Sequence, residues 1–326
     1  MNKIFFALAC FLLSPHLVFP IGDQIKKDIN PAYSFYLEGL FLEHSGNYNA
    51  ALEEYQKALS FDSKSGYLQI KIAIQYIKIK KYDEAISILK VLKDKTPVDV
   101  DAYLLLMLLY SEQGKSSDSD KVYEEMLSKL YAENPGNIKV AVSLANLKWE
   151  GGDVPQAVDI YKKALAVRPE AVELRFWLGY IYDETGRRKE AVSQWKKILE
   201  ISPDNAEAMN ALGYTYAEEG VNLTKAEALI KNALKIEPDS PAYLDSLGWV
   251  YFKKKDFRKA EKYIEKAVSF TRDPEILGHL GDIYYQLGEK DKAEKVWQEA
   301  LDKKPDNKEI KEKLGRIKNA APGKKD

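Results

Sequence analysis

Cysteine is almost missing from this chain. Cys10 is the single cysteine in 326 residues, and it stands inside an N-terminal apolar stretch, residues 4–19. If that stretch is removed on maturation, no disulfide supports the fold and no thiolate is left to act as a nucleophile. Histidine is nearly as scarce. His16, His44 and His279 lie far apart, and there is no His-Glu-x-x-His, no phosphate-binding loop and no Gly-x-Ser-x-Gly. These absences lead us to expect no catalytic residue, no metal site and no cofactor. Charge of one sign is not in excess either, with 49 basic residues against 50 acidic. Such a balance suits a soluble surface and gives no support to nucleic-acid binding through bulk charge.

Met1-Asn2-Lys3 followed by the apolar stretch reads as a secretory signal over residues 1–22, with residues 23–31 as a linker. Ser14, Pro15 and His16 break the stretch before it is long enough for a comfortable membrane span. An uncleaved anchor is the alternative. Ala7-Leu8-Ala9-Cys10 also resembles a lipoprotein box that would acylate Cys10, although Phe11-Leu12-Leu13 continues the apolar run beyond it. Membrane contact is expected only through this N-terminus, and the protein is expected to be exported to the periplasm or anchored in the cell envelope.

What the chain does have is a period. Ala51, Ala85, Ser119, Ala157, Ala191, Ala226, Ala260 and Ala293 are separated by 34, 34, 38, 34, 35, 34 and 33 residues. Spacing in this range marks an array of two-helix units. Residues 172–203 show one unit plainly. Leu174, Phe176, Leu178, Gly179 and Tyr182 form a first helix, Gly186 breaks it, and Ala191, Trp195 and Ile198 ride on a second that ends at Pro203. Gly179 and Ala191 fall where the two helices cross, and only a minimal side chain permits that approach.

The pattern resembles the tetratricopeptide repeat. Its eighth position reads Gly39, Ala73, Met107, Ala145, Gly179, Gly213, Gly248 and Gly281. Closing prolines recur at Pro97, Pro169, Pro203, Pro238 and Pro305. The resemblance covers about residues 32–306 and implies an all-α, right-handed α-solenoid of about eight repeats. In the third unit Met107 and Ser119 replace small residues, which should hold its helices farther apart. Four extra residues follow within 127–137, room for one added helical turn. Units one to three (32–136) are therefore set apart from units four to eight (137–306). Residues 307–319, with Ile310, Leu314 and Ile317 on one face, read as a capping helix, and 320–326 as a disordered tail. The segments Asn210-Ala211-Leu212-Gly213-Tyr214 and Tyr243 to Tyr251 resemble repeats of bacterial envelope tetratricopeptide proteins.

In this family the first helix of each unit lines a concave groove. Carried onto this chain, the groove of units one to three is largely aliphatic: Tyr33, Tyr36, Leu40, Ile70, Ile74, Ile77, Leu104 and Leu108. In units four to eight it offers Asn146, Trp149, Phe176, Tyr180, Asn210, Tyr214, Asp245, Trp249, Phe252 and Tyr285. Aromatic rings mixed with amides and carboxylates suit the binding of a peptide segment. Trp149, Tyr214 and Trp249 are read as open to the groove, although helical spacing is equally compatible with rings packed between units. Trp177 and Trp195 are read as packed inside the array, and Lys253-Lys254-Lys255 as a solvated turn.

Acidic residues outnumber basic ones on the mapped groove, which favours a basic partner. The carboxylate clamp that some family members use for chaperone tails is missing, because Val142 precedes Asn146 and Glu207 and Ala211 stand two units on. These features predict a non-enzymatic adaptor or scaffold of the cell envelope that holds a protein or peptide segment in the groove of units four to eight. The alternative is a structural or self-associating component of an envelope assembly for secretion, pilus formation or polysaccharide export.

Overall fold

The computed structural model describes residues 30–95 and 97–320, with side chains as far as residue 317. The predicted leader, Cys10 and the last six residues lie outside the described residues. Within them the chain is a succession of helices with no strand. Three pairs come first: α1 (Pro31–His44) and α2 (Tyr48–Phe61), α3 (Gly66–Lys78) and α4 (Tyr82–Lys93), α5 (Val100–Glu112) and α6 (Ser116–Glu133). Five pairs follow: α7 (Ile138–Glu150) and α8 (Val154–Val167), α9 (Val172–Glu184) and α10 (Arg188–Ile201), α11 (Ala206–Glu218) and α12 (Leu223–Ile236), α13 (Pro241–Lys253) and α14 (Phe257–Phe270), α15 (Pro274–Gln286) and α16 (Lys290–Lys303). A last helix, α17 (Lys308–Ala320), closes the series.

Each start and stop has a local cause. Asn47, Asp99, Asn137, Asp153, Asn205 and Asp256 cap their helices by accepting a backbone N–H with the side-chain oxygen. Between the two helices of a pair the chain must pass through a left-handed residue. Glycine serves in six units, but Lys80 and Lys255 take the same conformation at φ 61° and 63°. At the helix crossing, space is the constraint. A Cβ added to Gly213 would lie 2.6 Å from Ile230 Cγ1 and 3.1 Å from the Ala226 carbonyl oxygen. At the equivalent point of the third unit Ser119 Oγ donates to the Met107 carbonyl at 3.2 Å, so a hydrogen bond bridges that crossing.

The described chain divides into two compact units, one ending at Glu133 and one starting at Asn134. The first has its core around Tyr55, Leu89, Tyr103, Leu106 and Leu109. Its last helix, α6, runs 18 residues where the other helices run 12 to 14, so the four-residue insertion is indeed one extra helical turn. In the second unit Leu174, Leu178, Trp195, Ile198, Leu212 and Ile264 are buried between successive pairs. Ile310 and Leu314 of α17 bury the last pair's open side. No described helix is long and apolar enough to cross a membrane.

Two substitutions test these local causes. Gly213→Ala should lower stability by about 1–3 kcal/mol, because the Ala226 backbone cannot move aside. Lys80→Gly should raise it by about 1 kcal/mol, by relieving the left-handed lysine. Urea denaturation followed by circular dichroism reads both, and shifts of the opposite sign would remove the crossing and the turn as constraints.

Candidate functional site

The site sits in the second compact unit, on the first helices α9, α11, α13 and α15. Its centre is a stack of rings contributed by consecutive units. His279 of α15 lies 4.2 Å from Trp249 of α13, centroid to centroid, at 20° between planes. Trp249 in turn stacks on Phe252 at 4.6 Å and 4°. The Lys253 ammonium sits 4.9 Å from the Trp249 ring centroid, within cation–π range. The indole Nε1–H donates to Glu218 of α11. Glu218 also faces Lys253 and Arg188, each at 3.6 Å. On the other side His279 Nδ1 meets both carboxylate oxygens of Asp245, at 2.9 and 3.1 Å.

These contacts revise two sequence readings. Trp249 does not line an open groove. It is only 8% exposed, since rings lie on both of its faces and its polar edge is taken by Glu218. Lys253 and Lys254 are not a solvated turn. Lys253 is held by Trp249 and Glu218, Lys254 pairs with Glu227, and only Lys255 is exposed. In the sequence His279 stood out only as one of three histidines lying far apart. Its side chain is 12% exposed and that of Asp245 10%, so the pair forms a buried tie between two units. The spacing Asp245 to His279, one repeat plus one residue, was the available signal.

The remaining predicted residues fall into two groups. Tyr180 and Tyr285 are exposed, and Tyr180 packs edge-on against the half-buried Trp177, which was expected inside. Phe176 and Tyr214 are half-buried, with Phe176 tilted over the buried Trp195. Asn210 is half-buried and its Oδ1 is enclosed without a hydrogen-bond partner. Tyr180, Tyr214, Asp245 and Glu275 share one electrostatic environment. Burial raises the Tyr214 hydroxyl pKa well above its ordinary value, and Glu218, Glu275, Asp245 and Asp183 raise it further. Tyr180 is shifted the same way by burial and then by Glu184, Glu275 and Asp183. At the near end of the unit, Asn146 and Trp149 are half-buried on α7. There Asn146 Oδ1 accepts from Tyr161 at 2.7 Å, which engages it with its own helix pair.

The carboxylates of the face differ in their compensation. Burial raises Asp183, against the pull of Arg188, and burial raises Glu275, with His279 opposing and Asp245, Asp273 and Glu184 adding. No cationic side chain among the described residues lies within 4.0 Å of either carboxylate. Asp282 is raised by burial too, although Lys313 of α17 bonds to it at 2.8 Å. For His279, burial works against the charged form, but Asp245, Glu275 and Asp282 outweigh it and its pKa rises. No group of metal-ligating side chains occurs among the described residues.

The sign of the pH dependence follows. A raised histidine pKa contributes stability that is complete below the unfolded value of about 6.5 and is lost as pH climbs through the folded value. Raised Asp183, Glu275 and Asp282 act in the same direction at lower pH. The second unit should therefore lose stability as pH rises from about 6 to 8, and His279→Gln should flatten that window. Thermal unfolding of both proteins at several pH values is the check, and parallel curves would dismiss the His279–Asp245 tie as the source.

Comparison with known proteins adds the family. Sequence models of the Tetratricopeptide repeat match residues 42–110, 142–206, 184–241, 242–274 and 274–307. A tetratricopeptide repeat protein of Parabacteroides merdae superposes with a TM-score of 0.55 at 21% identity, over 76% of this chain and 96% of that one. PilW, a type IV pilus biogenesis factor, gives 0.51 at 18% over 65% and 96%. The Cut9–Hcn1 assembly gives 0.54 at 17% over 82% and 52%. Among curated proteins, the pre-mRNA-splicing factor clf1 of Aspergillus fumigatus is 31% identical over 127 residues, 36% of this chain and 19% of that protein. The chain thus spans about a fifth of the length of the curated relatives it matches. With its period, its helix pairs and these matches in agreement, the chain belongs to the tetratricopeptide repeat family.

Proposed function

We propose that this protein is a non-enzymatic adaptor that holds a basic segment of another protein against the inner helices α9, α11, α13 and α15. The observation that carries the reading is the state of Asp183 and Glu275. Asp183 is half-buried and Glu275 is exposed at the start of α15, neither has a cation within ion-pairing distance among the described residues, and the exposed Tyr180 and half-buried Tyr214 stand beside them. A lysine or arginine brought by a partner supplies the missing charge, and the rings supply rigid apolar area for its stem. We place the protein in the cell envelope on the strength of Lys3 and the apolar stretch that follows it.

Trp249 is a poor probe of this idea, because its replacement would open the buried stack. Tyr180→Ala with Tyr214→Ala is the better one. Screened against an array of peptides, the wild-type protein should select lysine- and arginine-rich segments. The double variant, with its helix content unchanged, should bind them about thirtyfold more weakly. Added salt should weaken binding in the wild type, as it does for charge-led recognition. Selection of acidic or uncharged segments, or affinity that survives both substitutions, would remove the inner face from the reading.

A further inference from the structure

At three places the sixth residue of a helix reaches back to a carboxylate on the first helix before it, counting from Gly66, Pro274 and Lys308. On α3 it is Lys71, which donates to Glu43 of α1 at 3.1 Å. On α17, which follows the last pair as a further first helix would, it is Lys313, which donates to Asp282 of α15 at 2.8 Å. On α15 the same place holds His279, with Nδ1 at 2.9 and 3.1 Å from the two carboxylate oxygens of Asp245 on α13. Two of these ties use a lysine, whose charge is constant near neutral pH. The third uses the one side chain whose ordinary pKa makes its charge change there. Because Asp245 engages Nδ1, that nitrogen keeps its hydrogen in the neutral ring, and Nε2 is the nitrogen that titrates. Trp249, stacked on the imidazole at 4.2 Å, fixes the plane of the ring.

This switchable cation stands beside the carboxylates of the inner face. Glu275 lies one helical turn before His279 on the same side of α15. Glu275 also acts on Tyr180 of α9 and Tyr214 of α11, so the groups that would receive a partner's cation share one field with the imidazole. The charges facing His279 come from Asp245 of α13, Glu275 and Asp282 of α15, and Glu309 of α17, which Lys313 and then His279 hold below the ordinary carboxylate range. Lys313 sits between Asp282 and Glu309 as the second cation of the cluster. The other neighbours of α15 meet it elsewhere: Glu265 of α14 accepts from Tyr284, and the neutral Trp297 of α16 donates to the Gly278 carbonyl. We infer that His279 regulates the inner face as an internal counter-ion: charged, it competes with a partner's lysine or arginine for the carboxylates around Glu275, and neutral, it leaves them to the partner. The inference rests on the adaptor reading above and adds what controls it. A proton on His279 and a cation beside Glu275 repel each other. The proton therefore weakens the partner, and the partner drives off the proton, by the same factor. The raised pKa of His279 puts this exchange above about pH 6.5, and the raised Asp183 and Glu275 extend the same trend to lower pH.

Calorimetric titration of the purified full chain with an N-acetylated octalysine peptide tests the inference, because that peptide keeps its charge between about pH 6 and 8. The wild type should bind it about tenfold more tightly at the upper end of that range than at the lower, at constant salt. Near neutral pH the binding heats in phosphate and in Tris should differ, which reports a proton released on binding. His279→Gln, with its helix content unchanged at both ends of the range, should bind the peptide about equally at each. That substitution also takes the ring away from Trp249, so the wild type is followed directly as well. In proton NMR, the His279 resonance, assigned by its loss in the variant, should titrate about one pH unit lower with the peptide present. Equal affinity at both ends of the range overturns this inference and leaves the adaptor reading standing. A His279→Gln protein that keeps the tenfold change does the same, as does a His279 titration that the peptide does not move. If octalysine binds at neither pH, the adaptor reading falls, and this inference falls with it.

Discussion

A pair of short helices cannot bury its own apolar surface, and every other feature of this protein answers to that constraint. Within a pair, the helices approach until a glycine or alanine touches a large side chain opposite, as Gly213 does Ile230 and Gly179 does Trp195. Between pairs of one compact unit, a first helix leans on the one before it, as Lys71 does on Glu43 and His279 on Asp245. Because contacts run only between neighbours, stability is distributed along the array rather than centred on one core. What differs from unit to unit is the chemistry of the first helix. It is polar and bonded at Lys71, aliphatic at Val250 and Ile283, and ionic at His279.

The period of small residues made the architecture legible, because a crossing helix pair tolerates few substitutions at the contact and leaves an alanine, or once Ser119, every 33 to 38 residues. The long helix α6 was legible for a related reason: four inserted residues equal about one helical turn, and the array absorbs them by lengthening a helix. Individual side chains were less legible. Helical spacing gives the direction in which Trp249 leaves its helix, but not the distance to the next helix. At this junction the distance is short enough for His279 to cover the ring. Lys253 was misread because a run of three lysines at a turn looks solvated by composition. The Trp249 ring face lies on the same helix, and the Glu218 carboxylate that completes the hold comes from a position 35 residues earlier. Trp177, expected inside, remains half-buried because Phe176 and Tyr180 pack edge-on against it instead of a neighbouring unit enclosing it.

The acidic residues of the second unit do not form one uniform surface, and their division bears on what the inner face can do. Glu218 receives Trp249 and faces Lys253 and Arg188, Asp245 receives His279, and Asp282 receives Lys313. These three bind the array to itself, and the cation each one holds is no longer available to its neighbours. Asp183 and Glu275 are left on the same face with charge that the protein only partly compensates. A half-buried carboxylate without a counter-charge, as Asp183 is, is costly. It has two remedies, to take up a proton or to acquire a cation from outside. The first is visible as the raised pKa of both groups, and the second is what a basic partner would provide. Charges placed this way favour selectivity over raw affinity, because they penalise an acidic or uncharged segment as much as they reward a basic one. The same internal pairs that hold α11, α13 and α15 together therefore define, by what they leave unpaired, where a cation would have to sit.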